Sequence, residues 1–342
     1  MVTKKEIAEY LGISRTSVSL VLNNSPGHNI SIETSKKILQ AAKDLGYRDI
    51  EFSPKLCYVL YDRDANDPRY MADLHTIESA ASQYNYGLIF MNITPDGESL
   101  NKLQKIIENQ EIDGFVISGD VDGKLLNIFQ QSNVPYILYG KPLYEIEKNC
   151  NHIANDDRKL AYDAVSNLLD MGHTRIALFM GSLDYLIHQR TLEGYLEAHK
   201  NKGVEVDKSL IQISNDENGF EICKRARMLR LHYSAAFCAN TVIQFGALQY
   251  LQSTGIAVPA DISLVGSGFS ELVKLSIPPL TTYYVSNTEK ERIVSLLIEQ
   301  INNKTSNEPI SVYITDFECF EGGTIAPYKS VDHQKGAVAD QS

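Results

Sequence analysis

The residues with the clearest chemical potential lie near the N-terminus, in the run Ser14-Arg15-Thr16-Ser17-Val18-Ser19. Arginine is the side chain best suited to the two acceptor atoms that guanine presents in the major groove of DNA. Serine and threonine hydroxyls can reach phosphate oxygens without filling the groove. The run therefore predicts a surface that reads bases through Arg15 and Thr16 and contacts the DNA backbone through its serines.

The apolar pattern around this run predicts two short helices joined by a turn at Gly12. Glycine accepts the left-handed backbone that such a turn needs, and Thr3 and Ser14 can cap the two helices. Their apolar positions recur at helical spacing and are Ile7, Ala8 and Leu11, then Val18, Val21 and Leu22. Two helices around a glycine turn are typical of a helix-turn-helix, whose second helix presents its first turn to base edges.

A third helix is predicted after Ser31, with a buried stripe of Ile38, Ala41, Ala42 and Leu45. This pattern alone also fits an ordinary three-helix bundle without a ligand. The charge distribution favours DNA, because residues 1–48 carry a net charge of +3 whereas the whole chain carries −11. The rest of the chain therefore carries −14, which discourages DNA from binding anywhere else.

Composition narrows the class of protein. With 342 residues, of which 43% are hydrophobic, the chain is too long for one ordinary domain and can fill substantial cores. The five cysteines lack CxxC or metal-ligand spacing, so they are predicted to be reduced thiols, with no metal and no cofactor. No signal-peptide core and no run of transmembrane length is found, so a soluble cytoplasmic protein without membrane contact is expected.

From Tyr58 onward, short β-branched runs alternate with amphipathic helical stretches. This alternation predicts an α/β fold with parallel sheets covered on both faces, and its length favours two similar subdomains. Neither GxGxxG after the first strand nor GxxxxGK[ST] is present, so these nucleotide-binding devices are not indicated. Strands are predicted at 57–61, 87–92, 113–118, 134–138, 174–180, 209–213, 235–238, 262–266 and 281–285, and helices at 70–85, 98–109, 122–132, 156–171, 189–202, 217–231, 241–254 and 287–303.

Several motifs carry a resemblance to the lactose-repressor (LacI/GalR) family. In the first 48 residues they are Ile-Ala-Glu-Tyr-Leu-Gly-Ile-Ser, Ser-Val-Ser, Val-Leu-Asn-Asn and Ala-Ala-Lys-Asp-Leu-Gly-Tyr, and together they resemble that family's DNA-binding headpiece. The core motifs are Asp113–Ser118, Val134-Pro135, Gly140-Lys141-Pro142, Gly172–Ala177, Arg190–Tyr195, Phe237–Asn240, Val258–Gly266 and Pro278–Thr282. The resemblance covers residues 3–327 and is interrupted only between headpiece and core.

The resemblance implies a core of two periplasmic-binding-protein-like, doubly wound parallel-sheet subdomains that the chain crosses three times. The expected domains are a helix-turn-helix headpiece at 1–48, a shortened hinge at 49–57, an N-subdomain at 58–158 and 285–312, a C-subdomain at 159–284 and 313–327, and a flexible tail at 328–342.

The hinge is the weakest part of the resemblance. In the family this interval holds a helix that folds on DNA and inserts a leucine into the minor groove. Only ten residues separate Tyr47 from Tyr58, and Asp49 and Glu51 would face phosphates unfavourably. Leu56 is the one leucine in a position to serve as the wedge, and we expect DNA binding not to depend on hinge folding.

The residues expected to contact DNA are Thr3, Ser14, Arg15, Thr16, Ser17, Ser19, Leu20, Asn23 and Ser31. Leu20 departs from the family, which often has arginine at this position. A leucine makes only apolar contact, for example with a thymine methyl group. The DNA sequence that this protein recognises therefore cannot be copied from other family members.

The resemblance places a small-molecule effector in a cleft between the subdomains, beyond the carboxyl ends of the strands. The residues expected to bind it are Arg69, Tyr70, Arg190, Asn240 and Phe269. Arg69 replaces a usual aromatic residue and suggests an anionic or strongly polar effector, with a solvated charged loop as the alternative. A guanidinium such as that of Arg190 suits hydroxyl or carboxylate recognition, with an interior ion pair as the alternative. Asn240 can donate and accept hydrogen bonds, or cap a helix.

Gly268 occupies the position of the family's ligand-binding aspartate. A carboxylate there commonly accepts hydrogen bonds from sugar hydroxyls, so its loss makes a plain neutral sugar less certain. Phe269 or Glu271 is the nearest side chain that could substitute.

These features predict a transcriptional regulator, with repression favoured over activation. It is expected to bind a pseudo-palindromic operator as a homodimer and to respond to a small, sugar-like effector. The alternative is a cytoplasmic or exported solute-binding receptor without DNA function. Catalysis is not expected, because no nucleophile elbow, metal cluster or acid–base pair is found, and His173 is assigned a structural hydrogen bond.

Overall fold

A computed structural model describes residues 2–22, 30–47, 54–132, 134–140, 150–302 and 309–329. Several sequence predictions lie outside these ranges. They are the DNA contact of Asn23, hinge residues 49–53, the motif residues Lys141 and Pro142, and residues 330–342 of the tail.

The headpiece consists of helices α1 (Lys4–Leu11), α2 (Arg15–Leu22) and α3 (Ile32–Leu45). Gly12 ends α1 with a φ of 68°, the left-handed conformation that the turn between α1 and α2 requires. The three helices pack around one apolar cluster, whose buried members are Ile7, Ala8, Val18, Val21, Leu22, Ile38, Ala41, Ala42 and Tyr47. The predicted helix-turn-helix and third helix are confirmed, because their apolar stripes form this core.

A six-stranded sheet follows, in the order β11-β5-β4-β3-β1-β2. Strand β1 pairs in parallel with both β2 and β3, and β5 pairs in parallel with both β4 and β11. The strands are β1 (Lys55–Tyr61), β2 (Gly87–Ile93), β3 (Gly114–Gly119), β4 (Tyr136–Tyr139), β5 (His152–Asn155) and β11 (Ser311–Ile314), and the helices among them are α4 (Pro68–Gln83), α5 (Gly97–Glu108) and α6 (Gly123–Gln131).

The second six-stranded sheet has the order β12-β10-β9-β8-β6-β7. Its strand pairs are parallel except for the antiparallel pair of β10 with β12 at the edge. The strands are β6 (Ile176–Met180), β7 (Ile211–Ile213), β8 (Ala235–Cys238), β9 (Ser263–Ser267), β10 (Thr281–Tyr284) and β12 (Glu318–Phe320), and the helices are α7 (Asp157–Asp170), α8 (Leu186–Lys202), α9 (Gly219–Met228), α10 (Thr241–Ser253) and α11 (Glu271–Leu275). Helix α12 (Asn287–Asn302) follows, and its C-terminal half packs on β3 of the first sheet at Gly114.

The predicted α/β class with two parallel-sheet subdomains is confirmed, and each predicted core strand and helix is present with ends shifted by at most three residues. The prediction missed strands β5, β11 and β12 and helix α11. Each of these is only three to five residues long, too short to show a periodic apolar pattern.

The chain divides into two compact units. The first contains Met1–Arg63, Ile77–Ile137 and Val294–Ser306, and the second contains Asp64–Thr76, Leu138–Ile293 and Asn307–Ser342. The domain boundaries expected from the resemblance remain a prediction. In the described ranges, no helix is long and apolar enough to cross a membrane.

The structural role predicted for His173 is confirmed. Its Nδ1 lies 2.9 Å from Ser234 Oγ and its Nε2 lies 2.9 Å from the carbonyl oxygen of Ala326. Burial lowers the pKa of this imidazole despite the hydrogen bond to Ala326. His173 therefore acts as a neutral connector between two distant segments of the second unit.

Candidate functional site

The first turn of α2 presents the predicted base-reading residues. Ser14 caps the helix, because the backbone N–H of Ser17 donates to Ser14 Oγ over 3.0 Å and the two hydroxyls lie 2.9 Å apart. Arg15 and Thr16 come directly after this cap and are exposed. The cap fixes where the helix begins, and therefore where these two side chains project.

The rest of α2 has a buried inner side and a less buried outer side. Val18, Val21 and Leu22 are buried in the headpiece core, whereas Ser19 and Leu20 are half-buried. No ion pair with another described residue occupies the guanidinium of Arg15. The outer side can therefore offer a free cation in its first turn and a hydroxyl and a leucine one turn later.

Thr3 and Ser31 begin the other two headpiece helices. The N–H of Glu6 donates to Thr3 Oγ1 over 3.3 Å, the N–H of Thr3 donates to Glu6 Oε2 over 2.7 Å, and the N–H of Thr34 donates to Ser31 Oγ over 3.1 Å. All three headpiece helices thus start at a hydroxyl cap, where the helix dipole favours an anion such as phosphate. The predicted DNA contacts of Thr3 and Ser31 stay predictions.

Leu56 does not lie where a minor-groove wedge would. It is fully buried in β1, where it is in register with Leu88 of β2 and Gly114 of β3. Inserting this side chain into DNA would require part of β1 to separate from β2 and β3.

Arg69 lies in a compact group of charged side chains, the Arg69 cluster, formed by Asp67, Arg69, His188 and Glu217. Its Nε lies 3.0 and 3.1 Å from the two carboxylate oxygens of Asp67, and Nη2 lies 2.7 Å from Asp67 Oδ2. The remaining nitrogen, Nη1, lies 2.8 Å from Glu217 Oε2. Only 25% of the Arg69 side chain and 14% of each carboxylate side chain is exposed, so the ion pairs are largely shielded from water.

His188 completes the cluster from the first turn of α8. Its Nε2 lies 2.9 Å from Glu217 Oε1, while its buried Nδ1 has no partner in the described residues. Gly181, directly after β6, makes room for this ring, since a Cβ at position 181 would lie 2.3 Å from His188 Nε2. Because an ionised carboxylate can only accept, His188 Nε2 is the donor in this hydrogen bond.

The cluster keeps the carboxylate of Glu217 ionised. Burial alone would raise the pKa of Glu217, but the hydrogen bond from His188 and the charge of Arg69 outweigh burial and lower it to about 2. Burial would lower the pKa of Arg69, but its hydrogen bonds to Asp67 and the charge of Glu217 raise it. The guanidinium of Arg69 thus faces two carboxylates, which opposes an anionic effector, one of the two kinds (anionic or strongly polar) that Arg69 suggested in the sequence.

The depressed pKa of Glu217 predicts a pH-dependent stability difference between the wild type and Glu217→Gln. A carboxyl whose pKa falls from 4.5 to about 2 on folding stabilises the protein fully above pH 4.5 and loses this contribution as the pH falls towards 2. We expect the variant to be less stable at pH 7 by up to ~3 kcal/mol, and the gap to close between pH 4.5 and pH 2. Urea unfolding at several pH values measures the gap, with Glu221→Gln as a surface control; a gap that does not change with pH contradicts the assignment.

Arg190 and Asn240 lie at different places in the second unit. Arg190, on α8, forms a 3.2 Å ion pair with Glu193, and 40% of its side chain is exposed, so it is not an interior ion pair. Asn240 is buried and caps α10, accepting from the N–H of Ile243 over 2.9 Å, while its Nδ2 has no partner among the described residues. No hydrogen bond in this part of the chain links Asn240 with Arg69 or Arg190.

Gly268 and Phe269 follow β9. Gly268 has a φ of 91°, which an aspartate would adopt only with strain, and a Cβ there would meet nothing closer than Thr241 Cγ2 at 3.9 Å. The ring of Phe269 packs on Tyr284 and Phe320, with centroid distances of 4.7 and 5.4 Å. Phe269 therefore belongs to an aromatic cluster with Tyr284 and Phe320, and its contact with the effector stays a prediction.

The structure thus joins Arg69 to three residues that sequence reasoning did not select, Asp67, His188 and Glu217. Only Asp67 could have been found, because it lies two residues from Arg69 in an acidic loop. Tyr70 lies beside Arg69, whose Cζ is 5.9 Å from the centre of its ring. Within the described ranges, no group of three or more His, Cys, Asp or Glu side chains is placed to hold a metal ion.

Comparison with known families gives two matches that together span most of the chain. Residues 3–49 match the model described as bacterial regulatory proteins, lacI family. Residues 53–321 match the model described as periplasmic binding proteins and sugar binding domain of the LacI family.

The individual relatives and solved structures named here have low sequence identity to this chain, between 21% and 25%. The HTH-type transcriptional repressors PurR of Pasteurella multocida and Mannheimia succiniciproducens are 24% and 25% identical over 323 and 327 residues, which is 91% and 92% of this chain and 95% and 96% of theirs. The transcriptional regulator CelR in complex with cellobiose has a TM-score of 0.70 at 23% identity, over 95% of this chain and 100% of that one. The lac repressor dimer bound to operator and the anti-inducer ONPF has a TM-score of 0.65 at 21% identity, over 95% and 99%.

Proposed function

The chain belongs to the LacI family of bacterial regulatory proteins and is a DNA-binding transcriptional regulator with an effector-binding domain, and from this premise we propose that it is a repressor of a pseudo-palindromic operator. The observation that carries the proposal is the exposed pair Arg15 and Thr16 in the capped first turn of α2. The +3 charge of residues 1–48 against −14 elsewhere directs DNA to this headpiece. The relatives named as repressors and the operator-bound lac repressor support repression over activation.

The effector that we propose is a small, polar, uncharged molecule of sugar-like chemistry. Arg190 offers guanidinium donors on an exposed face of α8, and Asn240 offers a buried amide donor without a partner in the described residues. Hydroxyl and ether oxygens satisfy both donors. Because Arg69 already faces two carboxylates, an additional negative charge beside it would be repelled.

We propose that two copies of the chain assemble through β2. This strand lies at the edge of the first sheet, so its outer side has no strand partner among the described residues. Its apolar side chains are incompletely covered, since Ile89 and Phe90 are 38% and 37% exposed and the nearby Tyr84 is 46% exposed. Two copies related by a two-fold axis would cover this surface and match the two half-sites of a pseudo-palindrome.

Replacing Ile89 with lysine should therefore weaken self-association by at least about tenfold, because it places a charge on each copy in an apolar contact. Analytical ultracentrifugation over a concentration series measures the change. Met228→Lys is the matched control, since Met228 is 75% exposed at the end of α9 and belongs to the other compact unit. Equal dissociation constants for the wild type and Ile89→Lys would count against this interface.

The experiment that tests the proposed function is the selection of bound duplexes from a random DNA pool by the full-length protein at near-physiological salt. An enriched two-fold-symmetric site is the expected result, and its half-site spacing reports how the two headpieces are separated. Failure to enrich any sequence, with or without a panel of sugars, would refute the DNA-binding function and favour a solute-binding receptor.

A further inference from the structure

The segment that follows β1 belongs to the second compact unit and is held there by polar contacts. The boundary between the two units falls inside α4, between Thr76 and Ile77, and residues 64–76 belong to the second unit. Two ion pairs connect this segment to distant parts of the same unit. They are Arg69 with Glu217, which precedes α9, and Asp73 with Lys290 in the first turn of α12.

Both connections are shielded from water. Lys290 Nζ lies 2.6 Å from Asp73 Oδ1, and the two side chains are 10% and 18% exposed. The Arg69–Glu217 pair is similarly buried and has a hydrogen-bonded partner on each side, Asp67 on Arg69 and His188 on Glu217. Removing one member of a buried pair leaves an uncompensated charge, so these connections differ in strength from the exposed pairs elsewhere in the chain.

Glu217 is also held in an unusual backbone conformation. Its φ is 53°, in the left-handed region that favours glycine. The turn that fixes it is organised by Asp216, whose carboxylate accepts from the Ser214 hydroxyl and from the N–H of Asn218. Backbone strain at one residue persists only where its surroundings enforce it, and such positions concentrate at switches and ligand clamps. Here the strained residue provides the carboxylate that engages Arg69.

We propose that Arg69 and Glu217 form a tether that closes without a ligand, holding residues 64–76 against α8 and the turn before α9, and that the affinity for operator DNA depends on whether this tether is closed. The proposal rests on the proposed function, since it concerns regulation of DNA binding. Arg69 then acts as a positioning residue rather than as a receptor for an anion.

The geometry of Arg69 supports a tether over an anion receptor. Its Nε and both Nη atoms are all engaged by the carboxylates of Asp67 and Glu217. An anionic ligand that approached the remaining N–H donors of Arg69 would lie beside both carboxylates and be repelled by them. A ligand can shift a conformational equilibrium only by binding one state better than the other. The closed tether and the open tether are two such states, and a ligand that binds one of them better than the other would shift the equilibrium between them.

The test uses the full-length protein, the operator obtained by selection, and no added small molecule. The variants are Glu217→Gln, Arg69→Gln and the double variant, with Glu221→Gln as the matched control. Glu221 lies on α9, is exposed, and makes only a surface pair with Lys224, so this control reproduces the charge change without the tether. Arg158→Gln is the control for Arg69, because Arg158 forms a surface pair with Glu197.

We expect each tether variant to change the operator Kd by at least fivefold relative to its control, within the range of about 5- to 150-fold that is typical of coupled sites. The double variant should show about the same change as either single variant, since the pair is already broken. Arg69→Lys should recover part of the effect. Hydrogen exchange of the amides in residues 64–76 should accelerate in the tether variants, whereas exchange in β9 should not.

The outcomes are distinguishable. If the wild type binds the operator and the tether variants match their controls in both Kd and hydrogen exchange, the tether is refuted while the proposed function stands. Faster exchange in residues 64–76 with an unchanged Kd would show a structural link without a regulatory role, which also overturns the proposal. If the wild type enriches no DNA sequence, the proposed function fails and the regulatory inference fails with it.

Discussion

Replacing Arg15 with alanine is expected to lower the affinity for the selected operator by about 10- to 100-fold, because a bidentate contact to a base contributes about 1–3 kcal/mol. The fold of the headpiece should not change, since Arg15 is exposed and the cap of α2 is provided by Ser14. Fluorescence anisotropy with the selected duplex and with a scrambled duplex of equal length gives the specific and non-specific affinities.

Lys5→Ala is the matched control for this experiment. Lys5 lies on α1, is 72% exposed and forms only a 3.6 Å surface pair with Glu9. It removes the same charge from the headpiece, so it should weaken binding to both duplexes alike and leave the preference for the selected duplex intact. An Arg15→Ala protein with an unchanged preference would show that α2 does not read the bases through this residue.

Gly194→Ala is the substitution for which we expect the largest loss of stability. A Cβ at position 194 would lie 2.0 Å from the carbonyl oxygen of Arg158 on α7, far inside any allowed contact. Because the obstacle is backbone, α7 and α8 would have to move apart, and both line the core of the second unit. Overpacking of this kind costs about 1–3 kcal/mol, and we place this case at ~3 kcal/mol or more.

Chemical unfolding of the two proteins measures the difference. Gly123→Ala is the control, because a Cβ at that position meets nothing within 4 Å, and Gly123 follows the Asp122 cap at the start of α6. This control should change the free energy of unfolding by no more than about 0.5 kcal/mol. A Gly194→Ala protein as stable as the control would mean that α7 and α8 can separate at little cost.

The contacts of Gly194 also separate the roles within the motif Arg-x-x-x-Gly-Tyr. The glycine permits the close crossing of α7 and α8, and Tyr195 is buried with its hydroxyl donating to the carbonyl oxygen of Ile176 over 2.7 Å. Arg190, whose side chain is 40% exposed, is the one of these three residues that remains accessible to a ligand. A motif that looks uniform in the sequence therefore combines two packing residues with one accessible donor.

The sequence by itself determined the headpiece and the alternation of the core. Val18, Val21 and Leu22 recur at helical spacing within α2, and the apolar residues of α1 and α3 do so within their own helices. Gly12 and Ser14 mark the turn and the cap through their own backbone and side-chain chemistry. Such signals are local, since the interacting residues lie three or four positions apart along the chain. The helix-turn-helix and the strand–helix pattern could therefore be assigned before any tertiary contact was known.

The tertiary structure decided what Arg69 does. In the sequence this arginine stood in a charged loop, and its charge suggested an anionic or strongly polar effector. Its partner Glu217 follows almost 150 positions later and is aimed by a left-handed turn, and His188 reaches the same carboxylate from another helix. Short strands such as β12 also depend on a tertiary contact, because β12 forms by pairing with β10, which lies far from it along the chain. Contacts between distant segments depend on the assembled fold, and no local pattern in the chain records them.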